Sequence, residues 1–264
     1  MRQLLISCIT ALFALLAAGP ALAERYTLAI HPVLPKSKTV ATFQPLADYL
    51  NKATGHTFSL QTTANFLVHW QMMKRERFDL VLDGPHFTDY RVRKMDYEVV
   101  AKQPAVVSYT LIGDPDLFIL EPADLIGKTI ATTPSPALGA LRLAQLFANP
   151  LRQPNIVEAE DSEAAAQKAL AGETAAAMIP APMVGRYPGL VTIQTTEQVP
   201  APALSASPRV APEHREAIRD ALRRADRTPA GRRVLEALNI SHFEAAENSD
   251  YAGYAVLLEG VWGY

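Results

Sequence analysis

The sequence predicts a two-lobed α/β protein, each lobe a mostly parallel sheet flanked by helices, with two crossover segments joining the lobes. Two observations carry this prediction. The chain twice alternates short β-rich runs with amphipathic helical stretches, the pattern of a parallel sheet with helical crossovers. Between and after these two sets lie extended segments, "AVVSYTLIGDP" and the proline-rich "VPAPALSASPRVAP" at 199–212, which suit connections between lobes.

The first element is a leader. Arg2 provides a positive start, "LLISCITALFALLAAG" a continuous apolar run, and "ALA" at 21–23 small residues where a signal peptidase reads. This is the pattern of a secretory signal peptide cleaved between Ala23 and Glu24, which places the protein in the periplasm. The apolar run is shorter than the ~20 residues a spanning helix needs. Cys8 is the only cysteine, so the processed chain has none. That excludes disulfides, thiolate catalysis and cysteine-held metals. A composition of 49% hydrophobic and 20% charged residues is globular, and a net charge of -2 without a basic patch gives no footing for nucleic acid.

The strand "RYTLAI" ends at His31. A helix follows in which Phe43, Leu46, Ala47 and Leu50 recur at helical spacing, with Gly55 placed as its C-cap. "HTFSLQTT" reads as a strand, "NFLVHWQMMKRER" as a helix whose Trp70, Met72 and Met73 enter the core, and "FDLVLDG" as a third strand. "PHFTDYRVRKM" is a short helix, and "YEVVAKQP" and "AVVSYTLIGDP" are β-rich. The second set runs strand "GKTIATT", helix "SPALGALRLAQLFAN", strand "NIVEAE", helix "DSEAAAQKALAGE" and strand "TAAAMIP". The chain closes with the helices "PEHREAIRDALRRADRT" and "PAGRRVLEALNI" and a tail. Arg223, Arg224 and Arg227 read as a solvated face.

Ligands of open α/β sheets bind beyond the carboxyl ends of the strands. The residues to inspect are therefore His31, Asp83, Gly84, His86, Thr132, Thr133, Ser135, Ile179 and Pro180. Ser135-Pro136 has the chemistry of an N-cap followed by a first helical residue. The same helix start exposes unpaired N–H groups and a positive dipole end, which hold phosphate, sulfate or carboxylate. One serine cannot satisfy all the orphan donors, so both roles are compatible. Asp83 caps the next helix or meets ligand. His31 and His86 form a polar pair if they converge. With Asp83 they would suit zinc or nickel, but no short ligand spacing marks a metal motif, and no metal or cofactor is assigned.

Four stretches, "FQPLADYLNKATG", "RFDLVLDGPHFTDYRV", "DLIGKTIATTPSPALGALRLAQLF" and "TPAGRRVLEALNISHFEAAENSDYAGY", resemble in order the segments of the periplasmic phosphate/phosphite/phosphonate-binding family. The resemblance implies the type II periplasmic binding fold, with lobe one at 24–107 plus 202–264 and lobe two at 108–201. It also implies that His31 faces the cleft, that Ser108 and Tyr109 lie near the ligand at the first crossover, and that Gly139 belongs to the anion-binding turn. This chain departs from the pattern where Pro136, Ala137 and Leu138 replace hydroxyl residues. Asp83 replaces an aromatic, and Ile179 and Pro180 stand where an acid often holds a ligand amine.

The function so implied is capture of a small oxyanion between the lobes, by a monomer, for delivery to an ABC permease. A membrane sensor kinase reading the same closure is the alternative. An extracytoplasmic hydrolase has less in its favour. No G-x-S-x-G elbow, H-E-x-x-H or P-loop is present, and no spacing marks a nucleophile–base pair.

Overall fold

The computed structural model describes residues 23–264. The expected signal peptide, with Arg2 and Cys8, lies outside the described residues except for its last position, Ala23. Among the described residues no helix is long and apolar enough to cross a membrane.

Two five-stranded sheets form the two lobes. In the first, β1 (Arg25–Ile30) lies between β2 (Thr57–Thr62) and β3 (Leu80–Asp83), parallel to both. The crossover α1 (Lys36–Thr54) buries Phe43, Leu46, Ala47 and Leu50 and ends at Gly55, whose φ of 76° is a left-handed cap that glycine adopts without steric cost. The second crossover, α2 (Phe66–Lys74), starts where the Asn65 side chain accepts from the Val68 N–H. Trp70 and Met73 are fully buried on it, as their spacing predicts. The helix α3 (Pro85–Met95) and strand β4 (Glu98–Lys102) complete the first half of this lobe.

The second sheet has the order β10-β6-β9-β7-β8. Its members are β6 (Tyr109–Gly113), β7 (Thr129–Thr132), β8 (Asn155–Glu158), β9 (Ala176–Pro180) and β10 (Val191–Thr195), with helices α4 (Leu138–Leu146) and α5 (Ser162–Leu170). The strands β7, β8 and β9 are parallel, whereas β6 is antiparallel to β9 and β10. A short ribbon of β5 (Val106–Val107) against β11 (Val199–Pro200) links the two sheets.

Two sequence expectations need correction. The stretch 199–212 is more than an extended connection. It contains β12 (Ala203–Ala206), wholly buried and antiparallel to both β3 and β4 at the heart of the first sheet. Its residues Ala203, Leu204, Ser205 and Ala206 read as loop because small residues and flanking prolines hide a strand buried on both faces. The strand β10 was also not anticipated. Its residues alternate apolar and polar, but the run is five residues long and largely exposed, with only Ile193 packing on the core.

After β12, α6 (Pro212–Arg223) and α7 (Pro229–Leu238) pack on α1, and Leu28, Leu46, Leu50, Leu204, Ile218 and Leu222 share one core. Each such side chain stabilises the fold by roughly 1.5–3 kcal/mol relative to exposure. Arg224 and Arg227 pair only loosely with Asp220 and Asp226 at the surface, as a solvated face should. The tail lies across both lobes: its turn Tyr254–Leu258 packs on α3 and touches α4, and Leu257 and Leu258 share a core with Phe87, Leu138 and Leu141.

Candidate functional site

A cavity of about 430 Å³ opens between the lobes. His31, directly after β1, faces it from lobe one; Thr133 after β7 and Pro180 at the end of β9 face it from lobe two. Strand ends from both sheets thus meet at one cleft, as the sheet rule requires. A smaller recess of about 50 Å³ adjoins it, sharing His31, Phe66 and Tyr109 with the main cavity. Gly84, Pro85 and His86 at the start of α3, and Leu138 at the start of α4, close this recess. Two helix N-termini, one from each lobe, therefore converge on it, each with orphan N–H groups and a positive dipole end.

His31 and His86 do converge. Burial pushes the His31 pKa down to about 3 and the His86 pKa down to about 4, so both rings are neutral at pH 7. The Nε2 of His86 lies 3.1 Å from the Pro136 carbonyl and donates to it, a hydrogen bond between the lobes. Its Nδ1 is buried with no protein partner. The His31 ring stands edge-on to Phe66. Burial raises the Tyr109 pKa to about 12, so its phenol stays protonated. The position of Tyr90, one turn beyond His86, is a packing one: its ring stands edge-on to Trp70 at 4.7 Å.

The other expected residues divide. Thr133 lines the cleft. Gly139 lies under the Tyr109 ring, where an added Cβ would come within 2.8 Å of Cε1; this is a close approach only glycine permits. Ser108 lines neither cavity, and its carbonyl accepts from the Ala181 N–H. Thr132 is buried and lines a separate groove of about 220 Å³ between α4 and β8. Ser135 opens onto that same groove and is exposed, and neither it nor Thr132 lines the cleft or its recess.

The capping expectation for Ser135 fails. Ala137 is the N-cap of α4, no side chain caps the helix, and the Ser135-Pro136 peptide is cis. The Ala137 N–H donates to the Pro134 carbonyl, closing a turn across Ser135-Pro136, and the helix begins only after that turn.

Asp83 also departs from its expected place. It has no exposure, and Arg91 grips both its oxygens at 2.6 Å. His69 and Thr88 complete the shell at 3.1 and 3.2 Å. Burial alone would raise the Asp83 pKa, but the Arg91 guanidinium overrides it and holds the carboxyl well below its usual range. The fully buried Arg91 also donates to Ser205 on β12. Asp83 therefore ties β3 to α3 and β12. Among the described residues no group of three or more His, Asp or Glu side chains could hold a metal; with its carboxylate turned to Arg91, Asp83 cannot join the two histidines.

Sequence reasoning missed several cleft residues. Lys38, near the start of α1, faces the cavity from lobe one, and Asp161, Glu163, Met183 and Arg186 face it from lobe two. Asp161 caps α5 by accepting from the Ala164 N–H, and Glu163 pairs with Arg186 at 3.3 Å. Asp161 carries a readable signal, an acidic N-cap residue between β8 and the helix pattern that follows it. Met183 and Arg186 lie in a 3-10 turn, Ala181–Arg186, that no sequence pattern announces.

Residues 28–251 match the family model described as ABC transporter, phosphonate, periplasmic substrate-binding protein. The chain belongs to this family. Solved structures agree in fold with this substrate-binding protein. A binding protein component of an ABC phosphonate transporter from Pseudomonas aeruginosa is 15% identical, with a TM-score of 0.74 over 89% of this chain and 86% of that one. PhnD1 from Prochlorococcus marinus, in complex with methylphosphonate, is 12% identical, with a TM-score of 0.76 over 89% and 97%. A Xanthomonas citri protein bound to ATP is 12% identical, with a TM-score of 0.74 over 90% and 99%. No curated protein matches this substrate-binding protein by sequence. The arginine-binding proteins, at TM-scores near 0.55, share the same type II architecture more distantly.

Proposed function

We propose that this protein captures an oxyanionic solute of the phosphate/phosphonate class between its lobes and delivers it, as a monomer, to an ABC importer in the inner membrane. The observation that carries this reading is the recess where the N-termini of α3 and α4 converge beside His31, His86 and Tyr109. Donors there are the backbone N–H groups of the two helix starts and the Tyr109 hydroxyl, since neutral His86 gives its one N–H to Pro136; helix dipoles supply the positive potential, so an anion is held without a buried counter-charge. Thr133, Gly139 and Gly84 belong to this site through the cleft wall and the two turns, whereas Asp83, Ser108, Thr132 and Ser135 do not. The methylphosphonate held by the Prochlorococcus relative supports the same ligand class.

In this reading lobe one spans 24–107 plus 202–264 and lobe two 108–201, and the β5–β11 ribbon is the hinge. The leader at 1–23 exports the chain. No catalytic role is assigned, because the family is one of substrate-binding proteins.

The test is thermal unfolding of the purified protein against phosphate, phosphite, sulfate and methylphosphonate. A ligand at 100 times its Kd stabilises by about 2.7 kcal/mol, which raises Tm by roughly 5–11 °C for a chain of this size. If no oxyanion in that panel moves Tm, the reading is wrong.

A further inference from the structure

The recess of about 50 Å³ is sized for a small head group, yet the chamber it opens into holds about 430 Å³. That volume lies in the ~300–1,000 Å³ range of clefts that enclose drug-sized ligands. The chamber wall is mostly apolar. Leu34, Phe43 and Leu82 form it from lobe one, with Leu238 from α7, and Met183 and Pro180 form it from lobe two. Phe43 and Leu82 are core side chains that turn an edge into the chamber, so the apolar wall is part of the packed fold. The charged groups add little pull on a ligand. Glu163 is paired with Arg186, and Asp161 spends one oxygen on capping α5. Lys38 is exposed.

We infer that the natural ligand is an organic oxyanion carrying an apolar alkyl or aryl substituent, which fills the chamber lined by Phe43, Leu82, Met183 and Leu238 while the anionic head occupies the recess. This rests on the proposed oxyanion site. An inorganic anion would leave the chamber to water and forgo contact with its apolar wall. A tail bearing an amine would find both acidic side chains of the chamber engaged, Asp161 in capping α5 and Glu163 with Arg186, and would lose hydration against leucine, phenylalanine and methionine.

The experiment is isothermal titration of the purified protein with phosphate, methylphosphonate, propylphosphonate, phenylphosphonate and 2-aminoethylphosphonate, the last being close in shape to the propyl compound. Each buried methylene is expected to tighten binding about fourfold, so propylphosphonate should bind on the order of 15-fold more tightly than methylphosphonate. Phenylphosphonate should exceed methylphosphonate as well, and 2-aminoethylphosphonate should fall below propylphosphonate. In Met183→Asn the ratio of propyl to methyl affinity should shrink at least threefold. Phosphate or methylphosphonate binding at least as tightly as the propyl and phenyl compounds would overturn the inference and leave the oxyanion site standing. So would preference for the aminoethyl compound over its propyl counterpart. If none of the five binds, the oxyanion site itself is refuted, and the inference falls with it.

Discussion

Replacing Arg91 with methionine separates the structural reading of Asp83 from a ligand-contact one. The guanidinium has no exposure and makes five polar contacts within 3.2 Å, two to Asp83, two to Ser205 and one to the Met73 sulfur. Removing one partner of a buried pair strands the other as an uncompensated charge, which costs about 3–5 kcal/mol. For a chain of this length that is a Tm loss of roughly 6–20 °C. The pH dependence has a definite sign. In the wild type the depressed Asp83 pKa supplies stability that is full above the unfolded value near 3.9 and is lost as pH falls through the lower folded value. Without Arg91 the main influence against burial is gone and only the His69 contact still works against it, so that pKa rises. The variant's deficit should therefore narrow on going from pH 7 to pH 5, because the stranded carboxylate can protonate. A second variant, Arg91→Met with Asp83→Leu, removes both charges and should recover more than half of the loss. Urea denaturation at the two pH values, together with ligand titration, measures all of this. A loss below 1 kcal/mol for Arg91→Met, or an equal loss at both pH values, would refute the reasoning.

Other outcomes follow from the same geometry. Gly139→Val places side-chain atoms within contact distance of Tyr109 and should weaken oxyanion binding at least tenfold while the circular dichroism spectrum is retained; titration calorimetry checks it. The His86 pKa of about 4 means the unfolded chain binds its proton first. The wild type should thus lose stability as pH drops below about 6.5 toward 4, by up to about 3 kcal/mol from this residue, and His86→Gln should flatten that slope in urea titrations. Tyr251→Phe deletes the 2.7 Å bond from its hydroxyl to the Ala201 carbonyl directly after β11, and should cost about 1–2 kcal/mol in the same assay. Small-angle scattering with saturating methylphosphonate should show a smaller radius of gyration if the lobes close on ligand; an unchanged radius would remove the hinge from the proposal.

The elements legible in the sequence are those whose pattern is local. The spacing of Phe43, Leu46, Ala47 and Leu50 and the glycine at 55 define the buried face and the C-terminal end of α1, and the β-branched run before Thr133 defines β7. What stayed hidden depends on partners far along the chain. Whether Asp83 faces the cleft or the interior turns on Arg91, eight residues on, and on Ser205, more than a hundred residues away. Ser135 and Pro136 have the right composition for a helix start, yet the competing turn from Pro134 to Ala137 takes precedence. Of the site, the strand-end rule found His31, His86 and Thr133. It could not find Lys38 or Met183, which enter the cavity from a helix start and a 3-10 turn on opposite lobes.

The place of β12 bears on the order in which the molecule can assemble. It inserts between β3 and β4, and β4 has no other neighbour in the first sheet. The strands of the second sheet all lie between residues 109 and 195, ahead of β12 in the chain. A chain emerging from its N-terminus can therefore complete the second sheet while β3 and β4 still expose unsatisfied edges. Only when residues 203–206 arrive does the first sheet seal, so the half that begins the polypeptide is the half that finishes folding last.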